Sequence, residues 1–123
     1  RVPILKYEPQ DIKHCIGRWL SRPGMEDLLE NAFRRAAHPE AMTDCWDAEV
    51  LCRILGPDRK PFLPGPKDRL RLVFGISTDS FNPFHLKTAK QSVSSTGIWL
   101  FCLNFPLHLR FLDEYVCLAG VVP

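Results

Sequence analysis

The stretch Leu70-Arg-Leu-Val-Phe-Gly-Ile-Ser-Thr-Asp-Ser-Phe-Asn-Pro-Phe84 decides how this chain reads. Leu70, Leu72, Phe74 and Ile76 alternate with Arg71, Val73, Gly75, Ser77 and then Asp79. A period of two with one apolar side is the pattern of a strand lying on a core. The strand runs into Asp79, then Phe81 and the polar pair Asn82-Pro83, then Phe84. A carboxylate at a strand end sits on a rigid element with its oxygens toward a cleft, as a metal ligand requires. The same residue types also make turns, because Asp and Asn side chains bond local backbone and Asn-Pro starts a turn. Spacing alone leaves both roles open for Asp79.

Working outward, Gly97-Ile-Trp-Leu-Phe-Cys-Leu103 is a nearly continuous apolar run, as expected of a strand covered on both faces. Tyr115-Val-Cys-Leu-Ala-Gly-Val-Val122 is another, and Asn104-Phe-Pro106 closes the middle run. No helix of any length intervenes, so the three strands are expected to pair as antiparallel neighbours. Trp99 and Phe101 read as core residues rather than a base-stacking platform. The upstream half reads helical. Ile12, Cys15, Ile16, Trp19 and Leu20 recur at helical spacing, as do Met25, Leu28, Leu29, Ala32, Phe33 and Ala36. A third run holds Met42, Cys45, Trp46, Glu49, Val50, Arg53 and Ile54. Pro and Gly crowd residues 57–68, which read as a linker. The expected organisation is α+β: a helical segment over 1–56, the linker over 57–68, and a strand region over 69–123.

The chain has 123 residues, enough for one core and too few for two. A formal net charge of +2 is too small to argue for nucleic acid. Residues 61–123 carry six Lys/Arg against four Asp/Glu, so that half is only mildly basic. The five cysteines (Cys15, Cys45, Cys52, Cys102, Cys117) include no CxxC pair and read as thiols of a reducing compartment. His14-Cys15 is the one pair placed to join a metal site completed from elsewhere. No signal peptide opens the chain, and no apolar run approaches the about 18 residues of a membrane span, so neither secretion nor membrane insertion is expected. The start at Arg1 and the stop directly after Val116–Val122 read as those of a fragment.

Three segments carry a resemblance: FGISTDSFNPF (74–84), KQSVSSTGIWLFCLNFPLHLR (90–110) and YVCLAGVVP (115–123). Together they resemble the catalytic region of CACTA-type transposases, particularly the fungal branch called Plavaka. RWLSRPGMEDLLE (18–30) and MTDCWDAEVLCRILGPDRKPF (42–62) are similar to that family's approach to the region. The resemblance covers nearly the whole chain. It implies a DDE/D-type nuclease and strand transferase on an RNase H-like fold, of which this chain holds the first three antiparallel strands and is incomplete. It implies that Asp79 is the first catalytic and metal-binding carboxylate, on a central strand, with the motif residues Phe81, Asn82, Pro83 and Phe84 shaping the turn behind it. It implies a divalent cofactor, Mg or Mn, transposon-end DNA as partner, and a nuclear location.

Three carboxylates hold two ions in such enzymes. In the family the second and third acids lie beyond the equivalent of Pro123, so this chain is expected to be inactive alone and to bind no ion stably. Asp113 and Glu114 are expected to form a solvated charge cluster beside Arg110, and Asp68 lies in the linker. His85, Lys87, Lys90 and Arg110 are candidate phosphate contacts. Two positions depart from the family: His85 stands where many relatives have glycine, and Leu107 where a second proline is usual. A different class of reading is a domesticated or decayed derivative serving as a non-catalytic nucleic-acid or protein binding module.

Overall fold

A computed structural model describes residues 8–34, 41–63, 69–82 and 94–123. Helix α1 (Ile12–Leu20) starts where Asp11 accepts the Lys13 amide at 2.9 Å. An aspartate there satisfies one of the donors that every helix leaves free at its start. Ser21 closes α1 by donating its amide to Gly17. Gly24 then adopts φ 77°, a left-handed conformation that costs glycine little, and turns the chain into α2 (Met25–Glu30). The second helical run is shorter than its pattern: α2 gives way to a 3-10 turn over Asn31–Arg34.

The third run is broken in two. Asp44 and Asp47 cap each other's backbone around the 3-10 turn Cys45–Asp47, and Ala48 is extended before the single turn α3 (Glu49–Cys52). Aspartates bonding local backbone compete with a continuous helix, and here they win. Residues 57–63 are not a loose linker. Gly56 and Lys60 close a tight turn, Leu55 bridges Pro61, and Phe62 donates to the Ile54 carbonyl at 2.7 Å. Leu63 is then buried with Ala32 and Trp46 in a small second cluster.

The strands β1 (Glu8–Pro9), β2 (Phe74–Phe81), β3 (Ser95–Cys102) and β4 (Val116–Val122) form one antiparallel sheet in the order β1-β4-β3-β2. The three consecutive strands are therefore neighbours, as their short connections require. β2 begins four residues later than its alternation, at Phe74 rather than Leu70. Ahead of it, Val73 donates its amide to the Asn104 side chain and accepts from the Leu103 amide. A bulge between Ile98 and Trp99 shifts the β3–β4 register. The short helix α4 (Leu107–Arg110) and a 3-10 turn over Asp113–Tyr115 join β3 to β4.

One face of the sheet carries the core. Leu100, Cys102 and Cys117 pack with Trp19, Met25, Leu29, Phe105 and Tyr115. Trp19 stacks edge-on against Phe105 at 5.1 Å and donates its indole N–H to the Glu114 carbonyl at 3.1 Å. Burying an indole with its one polar atom satisfied stabilises by several kcal/mol, roughly 3–5 on truncation to alanine. The core thus joins the helical half to the strands, so residues 1–56 and 69–123 are not separate bodies where they are described.

The cysteines depart from the free-thiol expectation. Cys15 of α1 and Cys117 of β4 form a disulfide across 102 positions, with Cα atoms 6.2 Å apart. Cys45 and Cys102 remain free thiols. Sequence spacing says nothing of two cysteines that only the fold brings within bonding range.

Candidate functional site

Asp79 lies on β2 opposite Gly97, two positions before the strand ends, and its side chain is exposed. Antiparallel register puts directly paired residues on one face, and residues two apart share it. Ser77, Asp79 and Phe81 of β2 therefore share a face with Gly97, Trp99 and Phe101 of β3. The core residues Leu100 and Cys102 are on the other. Two glycines shape this second face. Phe101 lies over Gly75, its direct partner: an added Cβ at Gly75 would stand 2.3 Å from the ring. At Gly97 the indole Nε1 of Trp99 comes within 2.8 Å of the same hypothetical atom. Aromatic rings thus lie along the sheet beside Asp79. Trp99 is 38% exposed and Phe101 half-buried against Phe111, at 5.2 Å between rings, so neither belongs to the closed core expected for them. The core is on the opposite face, and apolar composition does not say which side of a strand is covered.

The expected central position of Asp79 is also revised. Among the described residues β2 is the edge strand of the sheet, because β3 and β4 follow on one side only. Phe81 ends β2 half in solvent, paired with Ser95, and Asn82 follows it. Ser80 and Thr96 hydroxyls meet at 2.9 Å across the same strand ends. Pro83, Phe84, His85, Lys87 and Lys90 lie outside the described residues, as does Asp68.

Arg110 is not a phosphate contact. It is 3% exposed, and its guanidinium is spent within the fold. Nη2 donates to Asp44 at 2.9 Å and to the Leu103 and Phe105 carbonyls at 3.0 Å, while Nε donates to Phe105 at 3.2 Å. A planar fork whose donors face fixed acceptors leaves nothing for a ligand. Burial pushes the Asp44 carboxyl up, but hydrogen bonds from Arg110 and Cys45 outweigh it and hold it below its ordinary value. The expected charge cluster around Arg110 is also rearranged: Glu114 pairs instead with Arg22 at 3.1 Å.

Asn104 escaped notice in the sequence except as the end of an apolar run. It is fully buried. Its oxygen accepts the Val73 amide at 2.9 Å, and its amide donates to the Leu29 and Arg71 carbonyls, both at 3.0 Å. One side chain thereby ties the end of α2 and the approach to β2 to the end of β3. A buried amide on three backbone partners fixes where the strand bearing Asp79 begins.

Among the described residues no three His, Cys, Asp or Glu side chains come together as a metal-holding group. His14 and Cys15 do not form part of one, since Cys15 is in the disulfide. One exposed carboxylate provides at most two oxygens where a divalent ion takes about six. The described residues therefore do not fit a two-ion centre, and Asp79 provides one corner at most. No helix among them is long and apolar enough to cross a membrane. Comparisons with protein-family models, with curated proteins and with solved structures returned no match.

Proposed function

We propose that this chain is the opening part of a CACTA-type transposase core, from an enzyme that cleaves and transfers DNA strands with Mg or Mn. In this reading Asp79 is the first of its metal-binding carboxylates, on an RNase H-like sheet, and the chain by itself is inactive. The partner is transposon-end DNA, and the location nuclear. The observation that supports it is the position of Asp79: an exposed carboxylate close to the C-terminal end of β2, on the sheet face opposite the core. A carboxylate used only to shape a turn has no need of a place within the ladder, where it is held rigidly and bonds no local backbone by necessity.

The test is Mg- or Mn-dependent strand cleavage by the complete gene product, including whatever its gene encodes beyond Pro123. Asp79→Asn removes charge with little change of shape, and loss of at least about a hundredfold in cleavage is expected. Cleavage at the unsubstituted rate by that variant sinks the assignment.

A further inference from the structure

We propose that the Cys15–Cys117 bond is a reversible redox latch that sets the opening of a groove between α1 and the sheet, with Cys15 as the sulfur attacked on reduction.

The two ends of α1 are held differently. Near its C-terminus Trp19 is fully buried and donates to the Glu114 carbonyl, and Arg22 beyond it bonds the Tyr115 hydroxyl at 2.9 Å and Glu114 at 3.1 Å. Its N-terminal half has exposed Ile12, Lys13 and His14 and is tied to β4 by the disulfide, while the chain just ahead of it pairs with β4 through β1 and the Gln10 amide on the Ala119 carbonyl at 2.9 Å. Removing the disulfide leaves the Trp19 anchor and the β1–β4 pairing in place and loosens the first turns of α1 between them. Local opening of a segment with few buried contacts costs much less than unfolding the whole domain. Beside the bond lies a groove of about 560 Å³. Asp11, His14 and Arg18 line it from the helix side, and Trp99, Val116 and Leu118 from the sheet. The disulfide ties its helix wall to the β4 part of its sheet wall, which Trp99 of β3 and Asp113 of the turn before β4 complete, so its width follows the state of that bond.

The sulfurs differ in access. Cys117 is 3% exposed, whereas Cys15 is half-buried on the groove, with the Arg18 guanidinium 3.8 Å from its sulfur. A thiolate reaches Cys15 and forms a mixed disulfide there, and the electron pair of the broken bond leaves on Cys117. With a dithiol reductant, its second thiolate closes onto its own first sulfur and releases Cys15. The two protons of the dithiol end on Cys15 and Cys117, and the reductant leaves as a cyclic disulfide. Glutathione disulfide drives the reverse exchange. The thiol of Cys102, which burial pushes up to about 11, is too rarely ionised to compete. A reducing compartment favours the open latch, and an oxidising episode closes it.

The test uses the whole chain equilibrated across glutathione redox buffers, acid-quenched and alkylated, with pairing read by mass spectrometry and amide exchange measured in each state. Expected is reversible Cys15–Cys117 pairing with far-UV circular dichroism retained. Exchange at residues 12–16 should be about tenfold or more faster when reduced, with Trp19–Arg22 little changed. Failure of the pair to form, loss of the whole fold on reduction, or identical exchange in both states overturns the latch. For the attacked sulfur, Cys117→Ser should take up glutathione at Cys15, and Cys15→Ser should leave Cys117 unmodified while folded. Equal uptake at both overturns that assignment. None of these readouts involves DNA, so the result is independent of the transposase reading.

Discussion

Asp44 and Arg110 form a buried ion pair 2.9 Å long, linking the cap of a 3-10 turn to helix α4 across 66 positions of sequence. Both charges are largely out of water, so neither tolerates loss of the other. Asp44→Ala leaves the guanidinium buried without a counter-charge and removes the cap on Trp46. A loss of about 3–5 kcal/mol is expected in urea denaturation. A loss below about 1 kcal/mol would mean that water reaches Arg110.

The same carboxyl makes stability sensitive to acid. Folded, Asp44 is held below its ordinary value, and so is Asp47, by backbone hydrogen bonds from Asp44 and Thr43. Unfolded, both take up protons near about pH 3.9. Between the two values the unfolded chain binds more protons, so stability falls as pH falls. The melting temperature should hold above about pH 5 and drop below about pH 4. Asp44→Asn should flatten that drop, and an unchanged acid slope in this variant would remove Asp44 as its source.

Asn104→Ala strips partners from the Val73 amide and from the Leu29 and Arg71 carbonyls. Each buried backbone group left unpaired costs about 1–3 kcal/mol, so a loss of roughly 3 kcal/mol or more is expected. Asn104→Asp is also expected to be destabilising, because a carboxylate accepts the amide but cannot donate to two carbonyls. Chemical denaturation of the two variants reads both effects. Equal stability of Asn104→Asp and the unsubstituted chain would rule out the two donated bonds.

Gly75 and Gly17 predict opposite signs. Gly75→Ala drives a Cβ into the Phe101 ring, which must move off the sheet and away from Phe111, at a cost of roughly 1 kcal/mol. Phe101→Ala should relieve that clash, making the double variant more stable than additivity allows. Gly17→Ala meets nothing within 4 Å inside α1 and should stabilise by about 0.5–1 kcal/mol through helix propensity. Thermal melts of the four variants test both statements.

Asp79→Ala should change stability by less than about 0.5 kcal/mol, as expected of an exposed side chain on which no core contact depends. A loss well above about 1 kcal/mol by the same melts would mark Asp79 as a structural residue.

Period was legible in the chain itself. Ile12 to Leu20 shows a helix, and three apolar runs without intervening helices give an antiparallel sheet, because local periodicity records which side meets water. The sequence also placed Asp79 near the end of its strand. Three things depended on approach in space. The alternation from Leu70 overshoots because Asn104, distant in sequence, takes the Val73 amide and the Arg71 carbonyl that a ladder would have used. Arg110 reads as a surface cation until Asp44 and the Leu103 and Phe105 carbonyls surround it. Cys15 and Cys117 meet only because α1 is laid on β4 by the burial of Trp19. Local pattern fixes what each segment is, while pairing of distant groups depends on the packed core, where desolvation makes every polar atom find a partner.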